Sequence, residues 1–178
     1  MVQVMAQVTA QTFLAEALIA LGGNIGDVRT TFDRAIACLC RDDTVRLVAR
    51  SSDYRTPPWG ITEQPPFVNA AIAVATSLTP RELLQRTMDC ESELGLDRAR
   101  KQHWGPRNID IDILAYEDLV LTDQELTLPH PRMLERAFVL VPLVEIAPDR
   151  LVAGIKVKDA LARLETSGIE RLPPRQSA

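Results

Sequence analysis

The residues from His103 to Leu114 constrain this chain more than any other stretch; they read His-Trp-Gly-Pro-Arg-Asn-Ile-Asp-Ile-Asp-Ile-Leu. From Ile109 to Ile113 apolar and acidic residues alternate strictly, the period of a half-buried strand. Side chains two apart on a strand share a face, so Ile109, Ile111 and Ile113 point to one side. Asp110 and Asp112 then point together to the other, with backbones roughly 6.5–7 Å apart. Two carboxylates aimed the same way repel and call for a compensating cation. Mg2+ suits them, because it takes hard oxygen ligands and is usually held by one or two carboxylates plus substrate phosphates. Trp104-Gly105-Pro106-Arg107 places a turn, an aromatic plate and a guanidinium just ahead of the strand, and Arg98, Arg100 and Lys101 lie upstream. Carboxylates for metal beside several cations form the pairing that phosphoryl transfer requires. An isolated Asp-x-Asp is more often a solvated strand face with an arginine as surface partner. The attached Trp-Gly-Pro-Arg tips the reading towards function.

At 178 residues the chain is one domain, long enough to bury a core without staples. A net charge of −4 argues against a nucleic-acid binder that relies on phosphate attraction. The 20 basic residues are nonetheless mostly arginine, whose fork suits phosphates. No apolar run reaches the roughly 20 residues of a membrane span. Lys and Arg are absent before Arg29, so a basic secretory or transit segment is not expected and the cytoplasm is. Cys38, Cys40 and Cys90 are odd in number and form no Cys-x-x-Cys pair; reduced, buried thiols are the expectation.

Along the chain, residues 1–13 read as an N-terminal extension, 14–172 as the domain and 173–178 as a frayed tail. Ala17 to Leu21 is a short buried strand closed by Gly22-Gly23-Asn24, and Asp27 caps a helix from Val28 to Cys40. The glycine turn lacks the Gly-Lys-Ser/Thr ending of a phosphate loop, so its glycines serve close backbone approach. Val45 to Tyr54 reads as one strand, Arg55 to Pro66 as a proline-dense loop, and Phe67 to Thr76 as a third strand. Thr79-Pro80-Arg81-Glu82 is a capping box opening a helix to about Leu94. After the Asp-x-Asp strand, Leu119 to Leu121 reads as a return strand, Phe138 to Ile146 as a helix interrupted by Pro142, and Val157 to Glu165 as a last helix. The order β-α-β-β-α-β predicts an α+β, ferredoxin-like antiparallel sheet with packed helices and C-terminal additions.

Four segments, Leu21-Gly22-Gly23-Asn24, Tyr54-Arg55-Thr56-Pro57-Pro58, Trp104 to Asp112 and Leu128-Pro129-His130, resemble in this order the 6-hydroxymethyl-7,8-dihydropterin pyrophosphokinase family. The resemblance spans about Ala17 to Pro148. It implies transfer of pyrophosphate from ATP to a pterin alcohol in folate biosynthesis, with ATP as co-substrate and two Mg2+ ions held by Asp110 and Asp112. It implies catalytic roles for Arg98 and Arg100 in a loop before the strand, although Leu96 and Asp97 leave the register of that Arg-x-Arg open. Glu91, Arg98, Trp104, Arg107, Ile113, Thr127, His130 and Arg136 are implied as the ATP side. Thr56, Pro57, Trp59, Phe67, Asn69, Trp104, Asp110 and Phe138 are implied as the pterin side, Phe67 and Phe138 as its aromatic plates. The family usually carries Ser at the position of Gly23 and often Tyr at that of Phe67. A monomer acting on small molecules, with no nucleic-acid or membrane partner, is expected.

Two other readings share the topology. A polymerase- or cyclase-type nucleotidyltransferase also uses paired carboxylates but needs no plates at Phe67 and Phe138. An RNA-recognition sheet would want adjacent aromatics and a basic face, against 4% aromatics and net acidity.

Overall fold

A computed structural model describes residues 14–58, 63–95 and 105–175 of the chain. Trp59, Arg98, Arg100, Trp104 and the N-terminal extension therefore lie outside the described residues. The apolar run near the start forms β1 (Ala15–Gly23), followed by α1 (Val28–Leu39). Asp27 caps α1 by accepting from the Thr30 amide at 3.1 Å, and the helix buries Val28, Phe32, Ala35 and Leu39. Next come β2 (Val45–Arg50), β3 (Tyr54–Thr56) and β4 (Phe67–Thr76), then α2 (Pro80–Glu93), which opens with the reciprocal Thr79–Glu82 capping box. The Asp-x-Asp strand is β5 (Asp110–Tyr116). Beyond it are a hairpin of β6 (Leu121–Thr122) and β7 (Thr127–Leu128), then α3 (Ala137–Ile146). The chain ends with a second hairpin of β8 (Leu151–Val152) and β9 (Ile155–Lys156), α4 (Val157–Leu161) and β10 (Glu170–Arg171).

The main sheet runs β10-β3-β4-β1-β5, with β2 also pairing β4, and every pairing is antiparallel. Since β1 occupies one edge of β4, β2 and β3 share the other and act as one broken strand. This is the β-α-β-β-α-β plan, with β5 joined to the free side of β1. The single strand expected over Val45 to Tyr54 is interrupted at Ser51–Asp53. Ser51 bonds both its amide and its hydroxyl to the backbone of Ala71, and Asp53 turns inward to accept from Arg29 at 2.7 Å and Arg50 at 2.9 Å.

Period-2 alternation turns the residues of the central strands β1, β4 and β5 to two faces, each covered by packed helices. Ala17, Ile19, Leu21, Ile72 and Val74 pack with α1 residues Phe32 and Leu39 and with Leu83 of α2. Leu18, Ala71 and Ala73 pack on the opposite face with Leu140 and Leu143 of α3 and Val157 of α4. Adjacent Leu114 and Ala115 both join that second face, which strict alternation forbids. The β1–β5 register explains it: Leu18 pairs Ala115 and Ile19 pairs Ile113, so Leu114 is one residue extra, a bulge.

Four expectations need correction. The return strand is Leu121–Thr122, paired to β7 and not to β5. The last helix stops at Leu161, well short of Glu165, whose side chain accepts from the Ser167 amide and opens a turn instead. Residues 173–175 do not hang free, because Arg29 donates to the Pro173 carbonyl at 2.9 Å and Arg175 pairs with Asp33. Cys38 and Cys90 are not separate thiols: they meet where α1 packs on α2 and are joined as a disulfide, with Cα atoms 5.8 Å apart.

Candidate active site

Cross-strand register builds the floor of the site. Gly22 of β1 pairs Asn69 of β4 on one side and Asp110 of β5 on the other, and Ala20 likewise lies between Ala71 and Asp112. Neighbouring strands are about 4.8 Å apart, so Asn69 and Asp110 face each other across roughly 10 Å with no side chain between them. The gap depends on glycine: a Cβ at Gly22 would lie 2.9 Å from Asn69 Oδ1. One position later a Cβ would lie 2.5 Å from the Asn108 carbonyl oxygen, so Gly23 lets the segment ahead of β5 close onto the end of β1. The turn thus serves close approach, as its residues suggested, and the family's usual Ser at Gly23 would require the Asn108 backbone to shift here.

Above this floor a cavity, partly open to solvent, is lined by Thr56, Pro57, Phe67, Asn69, Arg107, Asp110, Asp112, Arg136 and Phe138, together with small or apolar floor and wall residues. Both carboxylates reach it because they lie on the α3 side of β5, opposite Ile111 and Ile113 in the other core layer. Asn69 is 8% exposed and donates from Nδ2 to Thr56 Oγ1 at 2.7 Å, leaving its carbonyl oxygen on the Gly22 side. Phe67 and Phe138 come from different elements, the start of β4 and the first turn of α3.

Each aromatic ring carries an arginine. The Arg107 guanidinium carbon is 6.0 Å from the Phe67 centroid, and that of Arg136 is 5.7 Å from the Phe138 centroid, both at cation–π range. Arg107 also donates from Nη1 to Asp110 Oδ2 at 2.6 Å, with side chains 11% and 18% exposed. One part of the carboxylate repulsion is therefore already offset by the protein. Burial lowers the pKa of Arg136, partly countered by the charges of Asp112 and Asp110. Its Nε is buried and meets no hydrogen-bond acceptor among the described residues, so the protein satisfies this cation incompletely.

The implied residues divide in two. All described members of the pterin-side set, Thr56, Pro57, Phe67, Asn69, Asp110 and Phe138, line the cavity; on the ATP side Arg107 and Arg136 do. Glu91, Ile113, Thr127 and His130 do not. Glu91 is 1% exposed and accepts from the Ile111 amide at 2.7 Å, sealing the outer edge of β5, and Thr127 sits in β7 beside that strand. Ile113 belongs to the core packed under α1 and α2. His130 donates its amide to the Leu114 carbonyl at 2.8 Å, and its Nδ1 accepts from the Arg132 amide at 3.2 Å. Burial, then the charge of Arg136, lowers its pKa, which keeps the imidazole neutral at neutral pH. Sequence reasoning missed Ala20, Leu21, Gly22, Ala70 and Val139 as lining residues. The small pair Ala20 and Gly22, two apart like Asp110 and Asp112, was the available signal.

Among the described residues no group of three or more His, Cys, Asp or Glu side chains converges on one point. Two carboxylates with open cavity before them fit an ion that completes its shell with substrate oxygens, as Mg2+ does. No helix among the described residues is long and apolar enough to cross a membrane.

Residues 18–148 match the profile of the family described as 7,8-dihydro-6-hydroxymethylpterin-pyrophosphokinase. The chain is 52% identical over 159 residues to the 2-amino-4-hydroxy-6-hydroxymethyldihydropteridine pyrophosphokinase of Methylorubrum extorquens, covering 89% of this chain and 99% of that one. It is 47% identical over 130 residues to the enzyme of the same name from Bacillus subtilis, covering 73% and 77% of the two chains. Among solved structures, wild-type HPPK-DHPS of Plasmodium falciparum superposes with a TM-score of 0.67 at 13% identity, over 84% of this chain and 43% of that longer one, a likeness of fold.

Proposed function

We infer the function from a premise those comparisons supply, that the chain belongs to the 7,8-dihydro-6-hydroxymethylpterin-pyrophosphokinase family. It transfers pyrophosphate from ATP to the hydroxymethyl group of 6-hydroxymethyl-7,8-dihydropterin, giving AMP and the pterin pyrophosphate, in folate biosynthesis. The observation that carries this to the site is the row Asn69·Gly22·Asp110, an open floor between an amide and a carboxylate, walled by Phe67 and Phe138.

For these products the hydroxymethyl oxygen attacks the β-phosphorus, the α–β bridging bond breaks towards AMP, and the hydroxyl proton is lost. In our reading the flat pterin lies between Phe67 and Phe138, while Asn69 reads its edge with a donor and an acceptor and Thr56 and Pro57 close the wall. Asp110 and Asp112 would hold two Mg2+ ions, which when bound would supply charge neutralisation to the phosphates and to the oxygens exchanged in the transfer. Arg107 and Arg136 take the phosphates, so Arg107 exchanges part of its contact with Asp110 for the nucleotide. Glu91, Thr127 and His130 flank β5 and Ile113 lies within it, and we assign the four to the nucleotide beyond the cavity. Arg98, Arg100, Trp104 and Trp59 we assign, by resemblance alone, to the same site. No protein nucleophile is needed, because positioning and charge neutralisation carry such transfers. We further propose that the chain works as a cytoplasmic monomer on these small-molecule substrates.

Thermal shift with a non-hydrolysable ATP analogue and Mg2+, then with the pterin alcohol added, tests the reading, since ligands that bind only the folded state raise the melting temperature. A pterin-dependent rise supports it, and a rise with RNA alone would support the RNA-binding alternative. Asp112→Asn should melt like the wild type yet lose nearly all transfer. Activity within a few-fold of wild type would remove the metal assignment.

A further inference from the structure

Asn24 closes the Gly-Gly-Asn turn and is only 7% exposed, yet it does not line the cavity. Its side chain is used at both ends. Oδ1 accepts from the Arg107 amide at 2.9 Å, while Nδ2 donates to Gln64 Oε1 at 3.1 Å and to the Pro65 carbonyl at 3.0 Å. Its backbone amide donates in turn to the Arg107 carbonyl at 2.9 Å, so residues 24 and 107 are tied by two opposed bonds. An amide is the side chain this position needs, because it must present an acceptor to one segment and a donor to another. Gly23, pressed onto the Asn108 carbonyl, leaves the turn little room to bring a longer side chain to the same place.

The two segments so joined lead into opposite halves of the site. Pro65 precedes Phe67 by two residues, and Arg107 precedes Asp110 by three. Arg107 then reaches back over the Phe67 ring and onto Asp110, closing a circuit from Asn24 through both segments. Ser, Asp or Ala at position 24 would lose the donor, the acceptor or both.

We propose that Asn24 is a positioning residue for the transfer: it holds the loop that leads into Phe67 and the backbone of Arg107 in one fixed relation, so that a residue lining neither half of the site sets the affinity of both. This rests on the assignment of Phe67 to the pterin and Arg107 to the nucleotide. Gln64 accepts from Asn24 Nδ2 in the loop half of the bridge, which makes the two halves separable.

The test is calorimetry with 6-hydroxymethylpterin and with a non-hydrolysable ATP analogue plus Mg2+, on wild type, Asn24→Ala, Gln64→Ala and the double variant, each checked for native circular dichroism. A bridge bond worth a typical net hydrogen bond corresponds to about a fivefold change in affinity. Asn24→Ala should weaken both ligands by about fivefold or more, and Gln64→Ala the pterin only. In the double variant the pterin loss should be less than the product of the single losses, since both changes cut the same bridge. A purely structural role would lower the melting temperature and leave both affinities within about twofold, and that result overturns the proposal. So does an unfolded Asn24→Ala accompanied by a Gln64→Ala that binds pterin like the wild type. Wild-type protein that binds neither ligand overturns the functional reading itself, and the proposal with it.

Discussion

At the scale of single residues the site is made as much by missing side chains as by present ones. Gly22 owes its identity to the Asn69 amide that would collide with a Cβ, not to a positive φ. Gly22→Ala should therefore displace Asn69 from Thr56, and should weaken pterin binding by about tenfold, on the order of the cost of one buried hydrogen bond plus repacking. Nucleotide affinity should change little; calorimetry reads both. His130 carries a second prediction. Burial and Arg136 hold its folded pKa below the ordinary 6.5, with Arg132 adding to the depression and Asp110 opposing it. The unfolded chain therefore binds this proton more readily, so the contribution to stability is complete above about pH 6.5 and is lost as pH falls through the folded pKa. His130→Gln keeps an acceptor for the Arg132 amide without the titration. Urea unfolding from neutral pH downward should show wild type losing stability faster than the variant, by at most about 1.4 kcal/mol per pH unit. Parallel slopes would remove the claim.

At the scale of elements, two departures from the regular plan matter. The bulge at Leu114 puts Leu114 and Ala115 under α3 while leaving Asp110 and Asp112 in phase with each other. The break at Ser51–Asp53 turns one strand into two and buries Asp53 against Arg29 and Arg50. Removing both arginines would leave a buried carboxylate unpaired, which costs far more than the intact cluster contributes. The helices are tied by the Cys38–Cys90 bond, which closes a loop of 52 residues. Chain-entropy arguments put such a crosslink at about 2–4 kcal/mol. Cys38→Ser should lower the denaturation midpoint accordingly in oxidising buffer and make no comparable difference with excess dithiothreitol. Equal midpoints in both buffers would mean that the crosslink does not form in solution.

At the scale of the whole molecule the last residues act as a clasp. β10 pairs with β3, which carries Thr56 at the cavity wall, and Arg171 donates to Ser52 Oγ at 2.8 Å. The Leu172 amide reaches the Asp53 carbonyl at 2.8 Å, so the chain end, β3 and α1 meet around one buried carboxylate. Ending the chain after Ser167 should cost about 2–4 kcal/mol, the net worth of several hydrogen bonds, and should loosen pterin binding more than nucleotide binding because β3 is the wall released. Chemical denaturation and calorimetry on the truncated chain check both halves. Unchanged pterin affinity would confine the clasp to stability.

Much was legible in the sequence because it is local. The alternation over Ile109–Ile113 requires two residues of one strand to share a face, and the Thr79–Glu82 box requires a helix start; neither depends on what lies across the fold. The β-α-β-β-α-β order follows from such local signals, and with it the sheet. The family resemblance, also a property of sequence, brought Phe67, Asn69 and Phe138 into one account. What only the tertiary structure decided is register and reach. A slip of one residue between β1 and β5 reverses which side chains face the site, and no periodicity within either strand records it. Cys38 and Cys90, Asn24 and Arg107, and Arg136 and Asp112 become neighbours only when helices and loops pack on that registered sheet. Those contacts are held by surfaces that no single stretch of the chain contains.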